Sequence, residues 1–176
     1  MNKVLTLFLL IFLCTYVTQA QWTSIGFYPD GSSYSVTSFV IGDNAYVGGG
    51  NLSKKSFYML NLEEDSWTKL DDIPGGVNRA SPIRFVIDGI AYIGAGGDRF
   101  QGSTKTFYAF DAETMEWTQK ADFGGDFKHS GFYASVNGKG YVICGTDGKD
   151  PVADVWEYDP ADETWKRKSE FPAGPV

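Results

Sequence analysis

The chain has 176 residues, of which 43% are hydrophobic and 21% are charged, and its formal net charge is −7. This acidity argues against nucleic acid and anionic membrane surfaces as partners, because neither is bound tightly without a basic patch that neutralises its phosphates. The chain holds two cysteines and one histidine, which excludes a disulfide framework and leaves too few ligands for a structural zinc site.

The first 20 residues have the pattern of a cleaved signal peptide. Lys3 supplies the positive charge, the apolar run 4–13 is shorter than the roughly 20 residues that a bilayer span needs, and Thr18-Gln19-Ala20 fits a small-residue cleavage site. A lipoprotein signal cut before Cys14 is the alternative, although a leucine stands where its motif needs a small residue. We expect cleavage after Ala20, a secreted or periplasmic protein, and one remaining cysteine.

The rest of the chain repeats one pattern three times. A tyrosine leads into a glycine-rich run, an aromatic segment follows, and a tryptophan closes the unit. The tryptophans are spaced by 50 and 48 residues. A fixed period of this length indicates a supersecondary unit that stacks on its neighbours to bury its faces. The copies begin at Tyr46, Tyr92 and Tyr141 and end at Trp67, Trp117 and Trp165.

Each repeat predicts four short antiparallel strands. Asp88-Gly89 and Asn137-Gly138 are dipeptides that favour tight hairpin turns, and Gly42-Asp43-Asn44 occupies the same point of the first repeat. No segment shows sustained helical periodicity. The sequence therefore predicts an all-β chain of three four-stranded units. Their expected third strands are 56–60, 106–110 and 154–158, and the units span about 32–70, 80–121 and 128–169.

These residues resemble the kelch-repeat β-propeller family, in which a glycine doublet ends the second strand, a tyrosine lies on the third and a tryptophan on the fourth. The resemblance covers residues 22–176 and implies blades whose repeat aromatics form the core. Two departures exist. The third copy reads Cys144-Gly145-Thr146, which breaks the doublet, and Ser32-Ser33-Tyr34 lacks the basic residue present as Arg79 and Lys128 in the later repeats.

Three blades fall short of the four or more that close a propeller ring. Residues 21–24 match a fourth strand without the other three, and residues 170–176 align with residues 72–78, which lead into the next blade. Two interpretations stay open. The chain is part of a longer propeller of six or seven blades, or copies of it self-associate to complete the ring and bury each other's edges. Under either one, residues 21–176 alone are not expected to form a stable monomer.

Up-and-down strands place two sets of connections on one face of such a propeller: second strand to third, and fourth strand to first. Variable loops on a rigid scaffold concentrate binding residues, so this loop face is the predicted site for a protein or glycan ligand. The candidate ligand-binding residues are Lys54, Lys55, Arg79, Asp98, Arg99, Phe100, Lys128 and His129.

The sequence predicts no metal and no cofactor. The resemblance extends to the propeller domain of galactose oxidase, whose copper site requires two histidines and a thioether-linked cysteine–tyrosine pair, whereas this chain offers His129 and Cys144 alone. Asp147-Gly148-Lys149-Asp150 lacks the spacing of a dedicated calcium loop. A hydroxyl nucleophile paired with His129 would be a catalytic arrangement. Ser130 directly follows this histidine, but in a strand the two side chains would point to opposite sides. No local motif marks a catalytic residue.

The sequence thus favours a secreted kelch-repeat propeller segment that acts as a protein- or glycan-binding scaffold. The alternative is a carbohydrate-active kelch enzyme similar to the sialate mutarotases, with its site partly in other blades. The resemblance implies that such chemistry needs a positioned carboxylate and cationic groups.

The leader assignment is tested by exporting the chain and sequencing its N-terminus. We expect the mature protein to begin at Gln21, because the small residue Ala20 fits the signal peptidase site. Ala20→Lys should block cleavage, and the matched control Cys14→Ser should leave it unchanged. Loss of processing in Cys14→Ser would establish the lipoprotein alternative.

Overall fold

The computed structural model describes residues 22–24, 26–50, 55–75, 80–98, 102–126, 129–147 and 149–175. The predicted leader, residues 1–20, lies outside this part of the chain. The described ranges contain strands and turns and no helix. In chain order the strands are β1 Thr37–Ile41, β2 Asn44–Gly48, β3 Phe57–Asn61, β4 Ser66–Leu70, β5 Ile83–Ile87, β6 Ile90–Gly94, β7 Gly97–Asp98, β8 Gly102–Ser103, β9 Phe107–Asp111, β10 Glu116–Lys120, β11 Phe132–Val136, β12 Lys139–Ile143, β13 Val155–Asp159 and β14 Thr164–Arg167.

Twelve of these strands form three four-stranded antiparallel sheets, which confirms the predicted fold class. Blade 1 has the order β1-β2-β3-β4, blade 2 β5-β6-β9-β10 and blade 3 β11-β12-β13-β14. The repeat positions coincide, because Trp67, Trp117 and Trp165 pair with Leu60, Phe110 and Tyr158 on the neighbouring strand. The third strand of each blade begins one residue later than predicted. The hairpin β7–β8, inside the β6–β9 connection, was not foreseen by the repeat pattern.

Local chemistry explains the hairpins that open each blade. In blades 2 and 3 both central turn residues have left-handed backbones, with φ of 48° and 79° at Asp88-Gly89 and of 50° and 71° at Asn137-Gly138. This is the requirement of a type I′ turn, which matches the twist of the flanking strands. Gly42, with φ of 56°, opens the corresponding turn of blade 1.

The connection from the third strand to the fourth also repeats. A side-chain oxygen accepts the backbone N–H two residues later, and the turn ends on a left-handed residue two places before the tryptophan. The accepting residues are Asn61, Asp111 and Asp159. The left-handed residues are Asp65, Met115 and Glu163, with φ of 52°, 60° and 55°.

The blades pack face against face through aromatic side chains. We call leading the face of a blade that carries Phe57 or its equivalent, and trailing the face that carries the repeat tryptophan. Phe57 of blade 1 meets Phe110 and Trp117 of blade 2 at ring centroid distances of 5.0 and 5.2 Å. Phe107 of blade 2 meets Tyr158 of blade 3 at 5.1 Å, with the rings edge to face. Such pairs add specific geometry to the burial of apolar area.

The first strand of the middle blade, β5, contacts both β1 and β11, so the first strands form the inner side of the array, with β4, β10 and β14 outermost. We call the segment that precedes the first strand of a blade its entry. Backbone hydrogen bonds join successive entries: Ser81 N–H donates to the Ser35 carbonyl at 3.0 Å, and Ser130 N–H donates to the Ser81 carbonyl at 3.4 Å. All three serines have left-handed φ, between 47° and 57°. The entries therefore converge on the loop face.

One glycine of each glycine-rich run is a packing requirement. Its φ is positive, and a Cβ atom would lie 3.0 Å or less from a backbone carbonyl at the entry of the same blade. The third copy keeps this glycine although its doublet is broken, which explains how that departure is tolerated. The glycines are Gly50, Gly96 and Gly145, and the carbonyls belong to Tyr34, Ala80 and His129 respectively.

The two end faces of the array differ from the internal interfaces. Tyr28 covers part of the trailing face of blade 1, with its ring 5.5 Å from Tyr58 and 5.7 Å from Trp67. Trp22 lies outside all strands and is 98% exposed. Tyr141 is only partly buried, unlike its equivalents in blades 1 and 2, because no blade in the described chain covers the leading face of blade 3. The expectation was that every repeat aromatic is core, and in the described chain Tyr141 is less buried than the other two repeat tyrosines.

The inter-blade core predicts a large cost for Trp117→Ala. The indole packs 4.9 Å from Phe110 and 5.2 Å from Phe57, so its removal should destabilise the fold by about 3–5 kcal/mol through lost burial and a cavity. Gln119→Ala, on the same strand with an exposed side chain, should change stability by about 0.5 kcal/mol or less. Equal shifts in chemical denaturation would contradict the packing assignment.

Candidate functional site

The structure describes three of the eight candidate ligand-binding residues. Lys55 is exposed on the β2–β3 connection, Asp98 ends β7, and His129 lies at the entry of blade 3. Their binding role stays a prediction. The other five candidates lie outside the described residues: Lys54, Arg79, Arg99, Phe100 and Lys128.

A repeated hydrogen bond fixes the loop face in all three blades. In each blade a residue three or four positions after the end of the fourth strand donates its N–H to a carbonyl of the connection between the second and third strands, at 2.7 to 2.9 Å. These two sets of connections therefore lie side by side, as the strand order predicted. The donor–acceptor pairs are Ile73–Lys55, Phe123–Lys105 and Phe171–Ala153.

Backbone pairing holds His129 in place. His129 N–H donates to the Thr146 carbonyl at 3.3 Å, and Thr146 N–H donates to the His129 carbonyl at 3.0 Å. The imidazole Nδ1 lies 3.2 Å from the Ser130 hydroxyl. The expectation that these side chains point to opposite sides is wrong, because Ser130 lies outside the strand with φ of 57°. Burial lowers the pKa of His129, which keeps the imidazole neutral at pH 7.

Arg84 and Tyr133 meet next to this histidine segment. They occupy equivalent positions on β5 and β11, the second residue of each strand from the loop face. The Arg84 guanidinium carbon lies 5.6 Å from the centroid of the Tyr133 ring, within the range of a cation–π contact. Tyr133 hydroxyl accepts the Gly131 N–H at 3.0 Å and donates to the Ser81 carbonyl at 3.4 Å.

Burial raises the pKa of Tyr133, although the Gly131 N–H and the charge of Arg84 oppose that shift. Its hydroxyl is therefore protonated at neutral pH. The mouth cluster, defined as Ser81, Arg84, His129, Ser130 and Tyr133, combines one fixed cation, hydroxyl groups and a neutral imidazole at the inner end of the loop face. This set suits an anionic, hydroxylated ligand.

Sequence reasoning missed Arg84 because its environment comes from another blade. The one local signal was a charged residue between Ile83 and Phe85, two buried positions of a short strand. Alternation alone assigns such a residue to solvent, and only the convergence of β5 and β11 gives it a partner.

A cavity of about 600 Å³ lies at the outer rim between blades 2 and 3. Its charged groups are paired within the wall: Lys105 with Asp126 at 3.9 Å, and Arg167 with Glu170 at 3.0 Å. Trp156 Nε1 donates to an Asp154 carboxylate oxygen at 2.6 Å. Because these polar groups bind one another, the wall offers a ligand a shaped surface and the Trp156 ring. Lys105 and Arg167 both already have an acidic partner.

A second cavity, of about 330 Å³, lies between blades 1 and 2 on the opposite face of the propeller. Its charged lining is acidic, from Asp88, Asp111 and Glu113. An anionic ligand is repelled there, so the electrostatics of the described residues favour the mouth cluster.

The described residues contain no group of three or more His, Cys, Asp or Glu that could hold a metal ion. Asp147 instead closes a turn, since its carboxylate accepts the N–H groups of Lys149 and Asp150, each at 2.9 Å. These bonds lower the pKa of Asp147. Cys144 is a free, fully buried thiol.

Among the residues described, no helix has the length and apolar character that a bilayer crossing requires.

Comparison with known proteins gives three findings. The Kelch motif family matches residues 133–172. N-acetylneuraminate epimerase from Pasteurella multocida (strain Pm70) is 35% identical over 104 residues, which is 56% of this chain and 26% of that protein. The solved structure of YjhT superposes with a TM-score of 0.72 at 20% identity, over 85% of this chain and 55% of that one. The chain thus matches about a quarter of the first relative and about half of the second.

The lowered pKa of His129 predicts how stability depends on pH. Below the ordinary pKa of 6.5 the unfolded chain takes up a proton that the folded imidazole resists, so stability falls as the pH drops through that value. His129→Gln should remove this component. Between pH 7.5 and 5.5 the melting temperature of the variant should fall less than that of the wild type. Parallel losses would show that His129 is as accessible to protons when folded as when unfolded.

Proposed function

The chain belongs to the kelch-repeat β-propeller family, and from that premise we propose that it binds an N-acetylneuraminate-type sugar at its loop face and interconverts the sugar's anomers. The 35% identity over 104 residues to an N-acetylneuraminate epimerase carries this proposal. The pattern of residues 1–20 adds that the protein works outside the cytoplasm.

The charge of the mouth cluster supports this ligand class. A sialate sugar bears a carboxylate on its anomeric carbon, and the chain as a whole has a net charge of −7, so binding needs a local cation. Arg84 supplies one, and its planar guanidinium can hold a carboxylate through two parallel hydrogen bonds. Because the guanidinium lies over the Tyr133 ring, the carboxylate and the adjacent anomeric carbon would be held close to the hydroxyl groups of the cluster.

Anomer exchange needs only proton transfers. The anomeric hydroxyl loses a proton, the ring oxygen gains one, and the carbon–oxygen ring bond breaks to give the open-chain ketone. Rotation and closure on the other carbonyl face reverse these transfers, with no net change in protons. His129, neutral at pH 7 because burial lowers its pKa, is assigned the role of base, and the protonated Tyr133 hydroxyl that of donor.

We predict that the chain accelerates the equilibration of a freshly dissolved single anomer of N-acetylneuraminate, followed by proton NMR. Arg84→Ala should weaken apparent sugar binding by about 10- to 100-fold through loss of a charged hydrogen-bonding partner. Arg84→Lys should retain part of it. The matched control is Arg167→Gln, which removes a cation of the outer rim, paired there with Glu170, and should leave the exchange rate unchanged.

Two further ligands separate activity from binding. The methyl glycoside of N-acetylneuraminate, which cannot open its ring, should bind without exchange, and neutral N-acetylmannosamine should not bind. Binding of both sialate forms without acceleration would replace the enzyme by a glycan-binding scaffold. Absence of sialate binding to the wild-type chain would overturn the proposal.

A further inference from the structure

Trp156 stands at a repeat position where blades 1 and 2 carry a buried tyrosine. It is the second residue of β13, as Tyr58 is of β3 and Tyr108 is of β9. The two tyrosines are 8% and 9% exposed, whereas Trp156 is only partly buried and lines the outer-rim cavity of about 600 Å³. Cavities of this volume are typical of small-molecule binding sites. Blade 3 therefore presents an aromatic ring to a cavity at a position that is covered in the other two blades.

In blade 1 the segment before the blade covers this position. Tyr28 packs its ring edge to face against Tyr58 and Trp67. Two residues later, Asp30 accepts the Tyr58 hydroxyl at 2.8 Å and also accepts the Ser56 hydroxyl. A carboxylate from the preceding segment thus binds the polar atoms of the third strand there.

In blade 3 the equivalent segment lacks that carboxylate. Phe123 packs edge to face against Trp156 and Trp165, with ring centroids 5.5 and 4.9 Å apart, so it corresponds to Tyr28. The residue two places after Phe123 is Gly125, which lines the cavity. A Cβ atom there would lie 2.8 Å from the Phe123 ring and 3.0 Å from the Trp156 ring. The close approach of the backbone therefore requires glycine, and the counterpart of the Asp30 side chain is missing.

The polar partner of the Trp156 ring comes from its own blade. Asp154 stands two residues before Trp156, as Ser56 stands before Tyr58, and its carboxylate accepts the indole N–H at 2.6 Å. This bond uses the one donor of the indole, so the ring offers carbon atoms to a ligand. Asp154 also lines the cavity, and a carboxylate has acceptor sites for further donors. An apolar ring and a hydrogen-bond acceptor thus lie side by side.

A second pair of polar groups lies in the same wall. Lys105 Nζ is 3.9 Å from an Asp126 carboxylate oxygen, which is beyond hydrogen-bonding distance. A hydroxyl group placed between them can accept from the ammonium and donate to the carboxylate. Arg167 and Glu170 cancel each other's charge, so among the described residues of the wall one cation stands against two acids. This balance disfavours an anionic ligand.

We infer that the outer-rim cavity is a second binding site, and that its ligand is a neutral sugar ring. A pyranose carries C–H groups on its faces and hydroxyl groups around its edge. Its C–H face packs on the Trp156 ring, which buries apolar area. Its hydroxyl groups donate to Asp154 and bridge Lys105 and Asp126. The mouth cluster differs in ligand class, because Arg84 there suits a carboxylate.

The test uses methyl β-glucopyranoside, in which every ring hydroxyl is equatorial and both ring faces carry C–H groups. Titration of the chain followed by saturation-transfer NMR should show binding. Methyl β-glucuronide, the same ring with a carboxylate, should bind about tenfold more weakly because it meets the excess of acids.

Two variants test the wall. Asp154→Asn should weaken glucoside binding by about tenfold, because a neutral acceptor replaces a charged one while the amide oxygen can still accept the indole N–H. Trp156→Leu, which removes the aromatic face, should weaken binding by a similar factor. The matched control Asp150→Asn alters an exposed carboxylate of the same connection and should leave binding unchanged. Circular dichroism spectra verify folding, and Asp154→Asn alone is decisive if Trp156→Leu does not fold.

Competition separates this site from the mouth cluster. The glucoside has neither a carboxylate nor a free anomeric hydroxyl, so its binding is independent of anomer exchange. Excess N-acetylneuraminate should not displace it. Displacement would place both ligands at one site and overturn the inference. The same conclusion would follow from a wild-type chain that does not bind the glucoside, from equal binding of the glucuronide, or from wild-type affinity in Asp154→Asn.

Discussion

Edge-to-face packing of aromatic rings between successive blades is the interaction on which this structure depends. Each sheet is only four strands wide, and it cannot bury its own large side chains. These side chains are buried only where a neighbouring blade covers the face that carries them. Phe57 is fully buried only because Phe110 and Trp117 of the next blade cover it, and Phe107 depends in the same way on Tyr158 and Trp165 of blade 3. Stability therefore resides between the repeats, as in other repeat proteins.

The same packing positions the chemistry. Because the blades converge on their first strands, residues far apart in sequence meet at the inner end of the loop face, and Arg84 reaches the ring of Tyr133 across a blade boundary. The entry of blade 3 is held by its bridge to Thr146 and by the approach of Gly145 to the His129 carbonyl. A loop residue is thus fixed by backbone contacts that leave its side chain available to a ligand.

The features that could be predicted from the sequence are those determined by residues close together in the chain. The turn dipeptides Asp88-Gly89 and Asn137-Gly138 determine their own φ values, so the hairpins and the all-β fold followed from the repeat. The mouth cluster did not, because Arg84 and Tyr133 belong to different blades. The orientation of Ser130 depends on a left-handed backbone that no local motif announces. The exposure of Tyr141 depends on the surface that follows blade 3, and five of the eight proposed loop residues lie outside the described chain.

The side chains at the outer edge of the blades also bear on how the chain folds. Three near-identical sheets could pack in the wrong sequence, a characteristic hazard of repeat proteins. Leu70 of blade 1 packs into the first inter-blade core, and the equivalent residue of blade 2, Lys120, pairs with Glu163 of blade 3. Blade 2 carries Met115 at the repeat position of Glu163. Swapping the neighbours would set leucine against glutamate and lysine against methionine, leaving both charges without a counter-charge. The residues at the outer edge thus disfavour packing of the blades in the wrong order, because only the native order gives each charged edge residue its counter-charge.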